Sequence, residues 1–287
     1  MKPNIFLNRY KSWGNEIDPS KVKVKPALRV NTLKITEQEL VRRLKSNGVK
    51  LEKIPWLKEG YFYEAKFSLA STPEYLQGYF YLQDAASQLP AIALDPKPGE
   101  KVLDMAAAPG GKTIQMSAMM KNQGFIAALD VKRERIQSMQ HNIERMGCKN
   151  VAVYNKDAFY ADDLGMKFDK VLLDAPCSGN FCIDKDWFSK RSVSDFNEKA
   201  FIQRRLIESG VRVLKNRGTI VYSTCSLEKE ENEDVISWAI ANLDVELIEM
   251  NFDIGSPGLE ETTSITRRLW PNKTMTQGFF VAKMIKE

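Results

Sequence analysis

From residue 79 onward, short apolar runs of strand type alternate with helical patterns, and this alternation limits the fold more than any other feature of the chain. It specifies a mostly parallel sheet with helices on both faces. Strands are predicted over Lys101–Met105, Phe125–Asp130, Val151–Asn155, Lys170–Asp174, Thr219–Tyr222, Val245–Met250 and Phe279–Met284. Helices are predicted over Thr113–Lys121, Arg133–Met146, Glu198–Leu214 and Glu230–Asn242. Several strands are apolar on both faces, as strands covered by helices are. The expected fold is α/β, an open, doubly wound, mostly parallel seven-stranded sheet. In such a sheet the ligand sits outside the carboxyl ends of the strands.

Residues 1–78 read as a separate small α/β unit. Ala27–Leu33 is a short strand-type run, and a helix follows from Thr36 to Asn47, with Thr36 as its cap and Glu39 three residues on. The first 60 residues hold 14 Lys and Arg against 6 Asp and Glu, a net of +8. The whole chain is +5, which leaves −3 on the rest. Such a basic segment points to a polyanion partner, nucleic acid above all. At 43% hydrophobic and 28% charged residues, the 287-residue chain is not disordered, collagen-like or a coiled-coil rod. No apolar run of about 18 residues exists to cross a membrane. The N-terminus lacks a secretory pattern, and four cysteines do not make a disulfide framework. A cytoplasmic protein with no membrane partner is expected, and a monomer.

Three motifs fall where a ligand would sit. After the first predicted strand comes Ala106-Ala107-Ala108-Pro109-Gly110-Gly111-Lys112-Thr113, which opens a helix. Small residues admit a ligand close to the backbone, and a helix N-terminus offers free amides. Two ligands fit: a nucleoside triphosphate, since A-x-x-x-x-G-K-T is one residue from a phosphate loop, or a nucleoside without polyphosphate, such as S-adenosylmethionine. Asp130 discriminates between them. It closes the second strand about 20 residues past the glycine turn, where a carboxylate takes a ribose diol. A phosphate loop has no use for that acid. Asp157, just past the third strand, is placed to reach the adenine or else is an ordinary turn residue.

The other two motifs are Asp174-Ala-Pro-Cys177-Ser-Gly179 after the fourth strand and Ser223-Thr-Cys225-Ser226 after the fifth. If those strands are neighbours, two thiols face the cofactor cleft. Cys225 also precedes an acid-rich helix start, whose amides would favour its thiolate. Two thiols suit methyl transfer to a weak carbon nucleophile. Cytosine carbon 5 becomes enamine-like once a thiolate adds to carbon 6. Asp174 can stabilise charge at the ring nitrogen, and a second thiol can assist elimination. No C-x-x-C spacing occurs, so no metal is expected. Cys148, Cys182 and His141 read as ordinary residues.

These motifs resemble those of the RNA cytosine-5 methyltransferases of the Nop/Sun type. The likeness extends to Leu28-Arg-Val-Asn-Thr-Leu-Lys34, Gly78–Ser87 and Glu230-Glu-Asn-Glu233, and so covers most of the chain. It implies a Rossmann-like methyltransferase catalytic domain over 79–287 and an RNA-binding domain over 1–78. It implies Cys225 as nucleophile, Cys177 in product release, and Asp174 with Lys112 at the cytosine. Residues 106–112, Asp130, Arg135, Asp157 and Asp174 would hold S-adenosylmethionine. Two departures stand out. Ala106 replaces a cysteine common in the family, and Asn272 and Gln277 stand where many members carry His and Asp. The short chain looks most like compact archaeal members that act on tRNA. Rival readings are the same reaction on rRNA, a non-catalytic RNA-binding protein on the same fold, and a triphosphatase.

Overall fold

The computed structural model describes residues 3–287. The N-terminal part contains α1 (Pro3–Ser12), β1 (Ala27–Val30), α2 (Glu37–Ser46), β2 (Lys50–Lys53), β3 (Gly60–Glu64), α3 (Pro73–Leu76) and β4 (Phe80–Leu82). The four strands form an antiparallel sheet in the order β2-β3-β1-β4. Leu40 and Leu44 of α2 bury against Leu28, Val30 and Phe80. Thr36 caps α2, its hydroxyl accepting from the Glu39 amide, as the spacing predicts.

The larger part contains α4 (Leu89–Leu94), β5 (Lys101–Asp104), α5 (Gly111–Met119), β6 (Phe125–Asp130), α6 (Arg133–Met146), β7 (Val151–Asn155) and β8 (Phe168–Asp174). Then follow α7 (Trp187–Lys190), α8 (Val193–Val213), β9 (Leu214–Thr224), α9 (Glu233–Asn242), β10 (Val245–Leu247), β11 (Ser256–Pro257), β12 (Arg267–Leu269), α10 (Pro271–Thr274) and β13 (Phe279–Lys286). Among the described residues nine strands form one sheet, in the order β11-β12-β13-β9-β8-β5-β6-β7, with β10 paired to β13. The strands from β9 to β7 are parallel, and those beyond β9 are antiparallel. All seven expected strands are present. β11 and β12 are additions, too short to show a period of two.

The sheet is apolar on both faces, and alternate residues serve opposite sides. Leu103, Leu129, Val171, Leu173 and Ile220 pack under α8 and α9. Val102, Ile126, Leu172 and Val221 pack under α4 and α5. The chain runs from β5 outward to β7, then crosses back to β8 and β9. The point where strand order reverses therefore lies at β5 and β8, and a ligand crevice opens there.

The two parts meet through the Arg29-Val-Asn-Thr-Leu-Lys34 segment. Arg29 is 4% exposed and has no carboxylate partner within ion-pair distance among the described residues. It donates to the Gly111 carbonyl at 2.9 Å and to the side chains of Gln83 and Gln115. Burial lowers its pKa to about 10. Asn31 donates to the carbonyls of Gly78 (2.7 Å) and Met146 (2.8 Å), and Lys34 to that of Arg145. These contacts cap the carboxyl end of α6. Gly78 has φ of +72°, and a Cβ there would lie 2.0 Å from the Arg145 carbonyl oxygen, so only glycine fits.

The division expected at residue 78 differs from the structure in two places. β4 completes the N-terminal sheet from beyond that point. In the other direction, α1 leaves the N-terminal unit and packs on the large part. Phe6 meets Trp187 edge-on at 4.9 Å between ring centroids and Tyr10 meets Trp270 at 5.8 Å. The cause is an aromatic pocket formed by residues about 180 to 260 positions away in sequence. No helix among the described residues is long and apolar enough to cross a membrane.

Candidate active site

β5 ends at Asp104, and the chain turns through Ala106–Gly110 into α5. Gly110 takes φ of +100° at the N-cap, a conformation an L side chain resists. A cleft of about 220 Å³ opens against this turn. The turn and Lys112 form one wall, Tyr81, Leu82 and Gln83 of the N-terminal sheet another, and Asp104 and Asp174 line its depth.

Asp104 is a functional candidate that the sequence reading missed. It is 1% exposed, and its Oδ2 accepts from the Thr113 hydroxyl at 2.6 Å. Its Oδ1 has no hydrogen-bond partner among the described residues. Burial raises its pKa to about 6, against the opposing pull of Thr113 and Lys112. The available signal was an acidic residue closing an apolar strand directly before a small-residue loop.

Lys112 and Asp174 are brought together, Nζ to Oδ2 at 2.5 Å, and Asp174 Oδ1 accepts from the Ser223 hydroxyl at 2.7 Å. β8 and β9 are parallel neighbours with Asp174 opposite Ser223. The two cysteine motifs therefore leave the sheet side by side. Cys177 Sγ and Cys225 Sγ lie 3.2 Å apart, both thiols half-buried. The contact with Cys225, then burial, pushes the Cys177 thiol well above its ordinary range.

The expected helix start beside Cys225 is not there. A single 3-10 turn spans Lys229–Glu231 and α9 begins only at Glu233. The acids of this stretch serve other contacts. Glu228 accepts from Tyr10 at 2.7 Å, and Arg9 bridges Glu228 and Glu230. No helix N-terminus therefore activates Cys225.

Asp130 is buried at the end of β6. Its Oδ2 accepts from the Ala108 amide at 3.3 Å and faces the Arg135 guanidinium at 3.4 Å, and its Oδ1 accepts from the Lys132 amide. Arg135 also donates to the Ala108 carbonyl. This trio pins the Ala106–Pro109 turn. Asp157 caps a 3-10 turn by accepting from the Phe159 amide, the turn role weighed from sequence, and stands outside the cleft walls. Gln277 binds Asp84 through its amide and Ser87 through its side chain, and Asn272 faces Asn15. No cluster of His, Cys, Asp and Glu suited to a metal occurs among the described residues.

Solved structures show the same architecture. A methyltransferase homologue protein from Pyrococcus horikoshii superposes with a TM-score of 0.86 at 44% identity, covering 94% of this chain and 88% of that one. A second structure, described as NSun6 from Pyrococcus horikoshii with SFG, reaches a TM-score of 0.87 at 29% identity, covering 97% and 94%. The fold is that of a methyltransferase. The profile of the 16S rRNA methyltransferase RsmB/F family matches residues 91–285, and that of the N-terminal domain of 16S rRNA methyltransferase RsmF matches residues 3–85. The chain belongs to this family, whose named members are RNA cytosine-C5-methyltransferases of rRNA and tRNA.

Among its curated relatives, ribosomal RNA small subunit methyltransferase F of Shewanella loihica is 38% identical over 92% of this chain and 57% of that protein. The tRNA (cytosine(72)-C(5))-methyltransferase of Pyrococcus horikoshii is 41% identical over 77% of this chain and 57% of that protein. The chain spans about half the length of the curated relatives it matches.

Proposed function

We propose that this chain transfers a methyl group from S-adenosylmethionine to carbon 5 of cytosine in RNA, through a covalent bond between Cys225 and carbon 6. The observation that carries the reading is the pair of thiols 3.2 Å apart at the carboxyl ends of β8 and β9, beside the Lys112–Asp174 pair. A methyl transfer to oxygen or nitrogen has no use for such a pair.

The cleft fits the cofactor. The unpartnered Asp104 oxygen is an acceptor for one of its cationic groups, and the amides at the start of α5 are donors for its carboxylate. Residues 106–112 form one wall for it, and the proposed ligand set further includes Asp130, Arg135 and Asp174, with Asp157, a turn cap outside the cleft walls, left out of it. S-adenosylmethionine, when bound, supplies an electrophilic methyl group. Cys225 Sγ bonds to carbon 6, and the electron pair of the 5,6 double bond becomes available at carbon 5. Asp174, oriented by Lys112 and Ser223, stabilises the ring nitrogen. After methylation the carbon 5 proton passes to water, the C–H electron pair re-forms the 5,6 double bond, and the bond from carbon 6 to sulfur breaks with its electron pair returning to the Cys225 sulfur. Cys177, held largely as the thiol, assists that last step.

The proposed substrate is tRNA, supported by the 41% identity to the archaeal tRNA enzyme. The rRNA reading is favoured by the family profile. Bisulfite mapping of RNA from cells with and without the gene separates them. A missing 5-methylcytosine in tRNA supports the first reading, one in rRNA the second, and an unchanged map of both contradicts the proposal.

Two expectations concern the cofactor. Asp130→Ala is expected to raise the dissociation constant for S-adenosylmethionine roughly ten- to a hundredfold, the scale of about 1.5–3 kcal/mol for hydrogen bonds to a charged group. Calorimetry showing unchanged affinity would remove Asp130 from the site. Affinity should also depend on pH through Asp104. With its pKa near 6, the carboxyl is neutral below that value and cannot attract a cation. Binding should therefore strengthen as pH rises through about 6 and level off above it. Asp104→Asn should abolish this dependence, and a titration curve unaltered by that change would refute the assignment.

A further inference from the structure

Between the two cysteine loops lies a carboxylate for which the mechanism above has no use. Glu231 is fully buried in the 3-10 turn before α9. Its Oε2 accepts from the Ser178 amide at 3.0 Å and from Gln203 Nε2 at 2.8 Å, and its Oε1 accepts from the Ser226 hydroxyl at 2.8 Å and from the Ser178 hydroxyl. Ser178 follows Cys177, and Ser226 follows Cys225. One side chain thus holds the residue next to each thiol, and Gln203 fastens it to α8. Gln203 also donates to the Pro176 carbonyl at 3.0 Å, on the other side of Cys177. The Glu231 backbone is held in turn, its carbonyl accepting from the Tyr222 hydroxyl at 2.6 Å.

We infer that Glu231 is a positioning residue: its carboxylate sets the spacing of Cys177 and Cys225 by binding Ser178 and Ser226 at once. Burial raises the Glu231 pKa, and the hydrogen bonds from Ser178, Ser226 and Gln203 pull it down. In its ionised form the carboxylate accepts from the two serine hydroxyls, the Ser178 amide and the Gln203 amide group with no donor of its own to place. Such bonds are stronger than neutral ones, and strong bonds are what fix two loops to within a fraction of an ångström. The charge has a second effect. It lies close enough to Cys177 to help keep that thiol protonated.

The inference rests on the covalent reading above for its functional consequence, but the spacing itself is measurable without RNA. Diamide takes two electrons and two protons from two neighbouring thiols and leaves a disulfide. In the full-length wild-type chain it should join Cys177 to Cys225 rapidly, as read by peptide mass mapping without reduction. In Glu231→Ala that rate should fall roughly ten- to a hundredfold, the scale expected when reacting groups are displaced by about 1 Å. Glu231→Gln keeps the size and one carbonyl acceptor, so its rate should lie between the two. It also reports the effect if the alanine variant folds poorly. In a Cys177→Ala background, where the covalent reading expects an RNA adduct to accumulate, Glu231→Ala should slow adduct formation by a similar factor. S-adenosylmethionine affinity should stay within about twofold of wild type. A wild-type disulfide rate in both Glu231 variants overturns the inference, as does a slowed disulfide with undiminished adduct formation. A slowed disulfide in the variants, with no RNA adduct and no methylation by any form of the protein, leaves the positioning role standing and removes the covalent reading instead.

Discussion

Cys225→Ala is expected to lose methylation by at least about 10⁴-fold, because removing a covalent nucleophile leaves only binding and electrostatic stabilisation. It should form no RNA adduct that survives denaturation. Cys177→Ala should behave in the opposite way. Cys225 can still attack, the methyl group can still be transferred, and the step that fails is release. The variant should therefore accumulate a covalent protein–RNA complex, seen as a slow band on a denaturing gel, with turnover close to one event per molecule. The structure makes this a sharp test because the thiols are only 3.2 Å apart and differ chiefly in their surroundings. An adduct trapped in Cys225→Ala and absent from Cys177→Ala would exchange the two roles. Full methylation in both variants would make the thiols structural and end the mechanism proposed here.

The second large effect concerns stability. Arg268, at 1% exposure, binds Glu233, at 0%, through Nε at 2.5 Å and through its Nη2, and Nη1 donates to the Leu227 carbonyl at 2.9 Å. The guanidinium lies among the rings of Trp13, Trp270 and Phe280. Arg268→Leu would strand the Glu233 carboxylate in a dry interior. Breaking one side of a buried pair costs about 3–5 kcal/mol. The thermal midpoint should then drop by on the order of ten degrees. Replacing both partners with leucine should be milder, since no uncompensated charge remains. Calorimetry that finds the double variant no more stable than the single one would contradict this account of the pair.

Legibility in the sequence followed locality. β6, β7 and α6 fall on the residues the patterns predict, because each carries its own period and α6 ends on Gly147 in the left-handed conformation. The site was readable as three strand-end motifs because a doubly wound sheet brings strand carboxyl ends together whatever the details. α8 begins at Val193, earlier than expected, and its start was in fact written in the sequence. Ser192 and Asp195 form a capping box. The start of α9 was not readable. Glu228, Glu230 and Glu231 look like the acidic first turn of a helix, but Arg9, Tyr10 and the cysteine loops claim their side chains, and those partners are remote in sequence. Asp104 and Glu231 were passed over for the same reason. The first looked like the end of a strand and the second like a helix charge, and only burial among distant donors distinguishes them.

The docking of α1 has a consequence for how the chain acquires its structure. Phe6 and Tyr10 lie far in sequence from the surfaces they require, Trp187, Phe196, Leu227 and Trp270. A contact spanning some 260 positions cannot form until nearly the whole chain is available, and such non-local contacts are slow to close. α1 must wait, its apolar face uncovered, while the N-terminal sheet beside it can already form, since its pairings span at most about 55 positions. The docking of α1 is therefore a late step. The stretch that carries Cys225 and Glu228 gains its final bracing from Arg9 and Tyr10 only at that closing step.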